Sequence, residues 1–143
     1  MACFFISIIM LVCVVVYVAL PWLIDFYIDN TAVEISPNTH KVMISMLYSI
    51  GVPIFITLAM AWLITMNISK GKSFITKNVT YLRVVSICSV VIAVMVQFFS
   101  TFLTSFFPLI ITIIFLLVAL LSAVFANLFQ TAIKYKEEND LTV

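Results

Sequence analysis

Polar and apolar positions in this chain follow no two-residue or heptad alternation; they separate into blocks. Residues 2–24, 42–69 and 84–133 contain no Asp, Glu, Lys or Arg, and two short polar stretches, 25–41 and 70–83, lie between them. A helix needs roughly 20 apolar residues to cross a hydrocarbon core of about 30 Å, so the first two blocks predict one span each. The third, drawn as one helix rising about 1.5 Å per residue, would be about 75 Å long and must fold back once. Pro108 suits the first turn of a helix, where its missing N–H costs nothing, and Thr104 and Ser105 are suited to cap that helix. The pattern therefore predicts an all-α integral membrane protein. It forms one domain over residues 1–143, a four-transmembrane-helix bundle with spans near 3–27, 41–66, 82–104 and 108–131 and a tail at 132–143. Pro21 and Pro53 fall inside spans and predict kinks, since neighbouring groups in a membrane re-satisfy a carbonyl freed by proline.

Composition supports the bilayer as solvent. A soluble domain of this size does not bury a chain that is 65% hydrophobic and 9% charged. Basic residues are retained on the cytoplasmic side. Lys70, Lys72, Lys77 and Arg83 flank the second polar stretch and Lys134 and Lys136 open the tail, against Lys41 alone at the edge of the first. Both termini are thus expected to be cytoplasmic, with Asp29, Glu34 and His40 outside. Trp22 and Tyr27 suit the outer interface, and Trp62, Tyr81 and Tyr135 the inner one. The N-terminal block lacks a basic leader and a small-x-small cleavage site, and is read as a retained helix.

Candidate chemistry is sparse. Cys3, Cys13 and Cys88 are unclustered and suggest neither disulfide nor zinc. His40 has no second histidine with which to share a metal and reads as a solvated loop residue. "GKS" at 71–73 ends like a phosphate-binding loop, but that motif needs a glycine at position 66, which is Met. No cofactor is expected, and the chain is read as not an enzyme. Polar side chains within spans are functional candidates by default, here Asp25, Gln97, Asn127 and Gln130, besides hydroxyls. Antiparallel pairing about Pro108 sets Gln97 level with Phe115 and Asn127 level with Val85 and Ser86. Asn127 is therefore expected to hydrogen-bond Ser86 or Ser89, and Asp25 to snorkel to water. Ala119, Ser122, Ala123 and Ala126 form a small-residue stripe, read as packing within the bundle, with a homo-oligomer interface as the alternative. The aromatic run at 98–107 is read as a lipid-facing belt in preference to a ligand pocket.

The stretch "NISKGKSFITKNVTYLR" mixes Phe74, Ile75, Val79 and Leu82 with Lys72, Lys77, Asn78 and Thr80, a pattern suited to a short interfacial helix before the third span that would favour anionic headgroups. The four-span layout, "GKSF" followed by "NVTYLR", and the ending "AIKYKEENDLTV" together resemble the bacterial membrane protein family known as domain of unknown function 2975. The resemblance covers essentially the whole chain and is most specific at "ENDLTV". It implies a multi-pass protein of the bacterial cytoplasmic membrane, often encoded beside a small helix-turn-helix regulator, with no enzyme activity or substrate attached.

Glu138, Asn139, Asp140, Leu141, Thr142 and Val143 combine acids, two apolar side chains and a terminal carboxylate, the equipment of a linear docking motif. With Lys72 and Phe74 in the second loop, they are the expected contacts for a cytoplasmic protein partner; the bilayer is the other partner, and direct nucleic-acid binding is not expected. The leading reading is a non-enzymatic accessory or regulatory membrane protein. An immunity protein against a membrane-active peptide is the alternative. A small transporter subunit is disfavoured because no charged residue lies at mid-membrane.

Overall fold

A computed structural model describes residues 2–31, 37–101 and 107–141. The described chain forms four helices, α1 (Ala2–Thr31), α2 (Pro37–Ser69), α3 (Thr76–Ser100) and α4 (Phe107–Leu141). Each contains a window long and apolar enough to cross a membrane, the pattern of a multi-pass membrane protein. α1 and α2 continue through Pro21 and Pro53, and Pro108 lies in the first turn of α4. The proposed caps Thr104 and Ser105, together with Glu34, Thr142 and Val143, lie outside the described residues.

Close backbone packing joins consecutive helices alone among the described residues, α1 to α2, α2 to α3 and α3 to α4. The arrangement is an open row and not a closed ring, so α3 is covered on two sides while the end helices present most of their side chains outward. The core shows this directly. Ile50 of α2 and Ile92 and Val96 of α3 form its buried centre, with Phe115 of α4 packed against them. In α1, Ile24 is the buried residue among those described.

The α3–α4 seam uses the small-residue stripe. Ala119, Ser122 and Ala126 are buried in it, which makes the stripe an intramolecular packing surface at those three positions. Small side chains let the backbones approach closely enough for the Ser86 hydroxyl to donate to the Ala119 carbonyl across the seam at 2.8 Å. α1 is seated differently. Gly51 of α2 faces the Tyr17 ring so closely that a Cβ there would collide with it. Tyr17 also stands edge-on to Tyr48 and Phe55, and its hydroxyl donates to the Tyr48 carbonyl at 3.0 Å.

Two expectations change. The stretch before the third span does not form a helix of its own: residues 70–75 are a loop, and Thr76–Leu82 is the start of α3. The charged segment from Ala132 to Leu141 continues α4. Ala, Lys, Glu and Leu are good helix formers, and Lys134 meets Glu138 one turn on at 3.8 Å.

Candidate functional site

The loop between α2 and α3 is built by backbone rules and one side chain. α2 ends in a Schellman cap: the Lys72 N–H donates to the Asn67 carbonyl at 2.9 Å and the Gly71 N–H to the Ile68 carbonyl at 3.0 Å. Such a cap needs a left-handed residue, and Gly71 supplies it with φ of 71°. "GKS" is therefore a helix terminus. The loop is then fixed by Asn78, which is fully buried. Its amide donates to the carbonyls of Lys72 at 3.2 Å and Ser73 at 2.8 Å, while its oxygen accepts from Asn67 at 2.8 Å. Phe74 leaves this loop and lays its ring on Phe129 of α4, with centroids 5.4 Å apart.

At the same end a groove of about 580 Å³ opens between α3 and α4. Thr76, Thr80 and Arg83 line it at helical spacing from α3, and Asn127, Gln130 and Lys134 from α4. Arg83 donates to the Gln130 side-chain oxygen at 2.7 Å. Among the described residues no carboxylate forms an ion pair with this guanidinium. A second cleft of about 220 Å³ shares Arg83 and Asn127 with the groove and runs on between Ser86, Ile87, Ala123 and Ala126.

The other end carries a smaller constellation. His40 Nε2 lies 3.0 Å from Asp25 Oδ1, so His40 belongs to α2 and faces α1, not an open loop. Both groups remain partly exposed, and no group of three metal-ligating side chains occurs among the described residues.

The intramembrane polar residues are placed as follows. Gln97 accepts from Thr112 at 3.4 Å, one turn short of the expected Phe115 level. α3 ends at Ser100 and α4 starts at Phe107, so the turn is centred earlier than a break beside Pro108 implies, and the helix pair slides by about one turn. That slide removes Asn127 from Ser86, whose hydroxyl serves Ala119 instead, while the Ser89 hydroxyl donates to Val85 within α3. Asn127 is exposed and lines the groove. Of the expected docking residues, Glu138, Asn139, Asp140 and Leu141 form the exposed last turn of α4. Lys72 is exposed in the loop, and Phe74 is partly occupied by Phe129. The sequence offers Asn78 only as part of an interfacial pattern and Arg83 only as a basic flank, and gives no sign of Asn67. The signal available for Asn78 was an amide two residues into a helix, just after a short loop that opens with a glycine. Phe98 and Phe107 of the aromatic run are well exposed.

The chain matches the family model "Protein of unknown function (DUF2975)" over residues 1–143 and belongs to that family. No curated protein and no solved structure matches it.

Proposed function

We propose that this DUF2975 protein is a small non-enzymatic accessory or regulatory protein of the bacterial cytoplasmic membrane. It docks a cytoplasmic protein partner through the α2–α3 loop and the end of α4. Both termini are cytoplasmic in this reading, because six of the seven basic residues flank the α2–α3 loop or open the C-terminal segment.

The observation that carries the reading is the Phe74–Phe129 contact, which draws the loop against α4. It sets Lys70 and Lys72 at the same end of the row as Glu137, Glu138 and Asp140, with Leu141 86% exposed among the charges. A helical end on which two lysines are followed by three acids, with Leu141 bare at its tip, suits recognition by a folded protein surface, and the family resemblance points to a small helix-turn-helix regulator as the first partner to try. The test is removal of residues 138–143 followed by crosslinking in intact membranes from a photoreactive residue at position 136. A crosslinked partner that disappears on truncation is the expected result; an adduct retained undiminished by the truncated chain would refute the role of the tail.

A further inference from the structure

We infer that the cleft between α3 and α4 is a binding site for an anionic phospholipid, with Arg83 holding the phosphate and the narrower cleft beyond it taking the start of an acyl chain. Three features converge on an amphiphile. The first is depth. Residues 84–133 are free of charge, so Arg83 stands at the edge of the hydrocarbon, and its side chain reaches toward the chain end to meet Gln130, as an arginine does when it snorkels to the phosphate layer.

The second feature is charge. Gln130 takes one guanidinium N–H and orients the plane, leaving other donors for a bidentate phosphate contact, and no carboxylate among the described residues neutralises it. Asn127 stands beside it on the groove wall, and the Lys134 ammonium, loosely held by Glu138 at 3.8 Å, lies one turn beyond Gln130. Glu137, the groove's own acid, sits two turns beyond Gln130.

The third feature is the change in chemistry along the cleft. Past Arg83 and Asn127 the walls become Ile87, Ala123 and Ala126, with the Ser86 hydroxyl already engaged by Ala119. A free phosphate would use only the first compartment, whereas a phospholipid uses both.

The experiment uses the full-length protein in a neutral detergent, with bound lipid counted by native mass spectrometry. Phosphatidylglycerol and phosphatidylcholine are offered in equal amounts, and glycerol phosphate serves as a soluble competitor. Wild type is expected to retain phosphatidylglycerol preferentially, and Arg83→Gln to lower that preference about tenfold, the size of one charge-assisted hydrogen bond. Lys77→Gln removes a cation from the same end without touching the groove and is expected to keep it. Ala123→Leu keeps every charge but fills the second compartment, and is expected to lose the lipid; it decides the matter if Arg83→Gln does not fold. Equal retention of both lipids, equal losses for Arg83→Gln and Lys77→Gln, full retention by Ala123→Leu, or displacement by equimolar glycerol phosphate would each overturn the assignment.

Discussion

The α3–α4 seam and the α1–α2 seam are made of opposite materials. The first brings alanine and serine together over about two turns, from Ala119 through Ser122 to Ala126, and lets a hydroxyl reach across to a main-chain carbonyl. The second rests on one large ring set over one glycine, with Tyr17 on Gly51, and beside it lies a cleft of about 260 Å³ lined by Cys13, Leu20 and Leu47. Lipid tails are as apolar as leucine, so helices in a bilayer gain little by hiding hydrophobic surface; they gain by close approach. The difference therefore ranks the two contacts: the small-residue seam is close over its whole length, whereas α1 is held around Tyr17 and, further along, by the partly exposed Asp25–His40 pair.

The largest expected effect follows from spoiling the continuous seam. Ala126→Leu forces a bulky side chain into a position that is 1% exposed, and should cost about 1–3 kcal/mol or more by overpacking. A chemical-denaturation midpoint equal to that of the unaltered protein would show that the seam is not what holds α3 to α4.

A smaller, local effect is expected at the aromatic seat. Gly51→Ala displaces Tyr17, but a ring on an end helix has room to turn aside, so the global loss should be about 1 kcal/mol. The sensitive readout is Cys13. In a Cys3→Ser background, its alkylation in detergent should rise relative to that of Cys88, which sits in α3. An unchanged ratio would mean that Tyr17 is not the seat of α1.

The smallest change is expected at Asp25. Its contact with His40 is partly exposed, and replacement by Asn should shift stability by a few tenths of a kcal/mol, within the usual range of surface pairs. A loss as large as that of Ala126→Leu would invert the ranking.

Most of the architecture was readable because hydrocarbon imposes a simple rule: the edges of the charge-free blocks at Asp25, Lys41, Lys70, Arg83 and Lys134, with the proline at 108, locate four spans without any knowledge of packing. Helix ends were less readable. Hydropathy reports where the bilayer stops, not where hydrogen bonding stops, so the extension of α4 to Leu141 escaped it, although residues 132–138 are favourable helix formers. His40 escaped for the related reason that Pro37, at the first position of α2, starts that helix before its apolar part begins. The groove was least readable, since its walls come from two helices whose register depends on the turn between Ser100 and Phe107. An error of three residues there moved Asn127 from the seam to the groove wall.

The amide of Asn78 has a mechanical corollary. It ties the short link to both flanking rods at once, through three bonds and with no exposed atom, so α2 and α3 cannot swing about their junction without leaving main-chain carbonyls bare. That junction is a weld. If this protein changes shape to pass a message, the hinge must lie elsewhere, and the joint with the least holding it is where the first rod leans on the second.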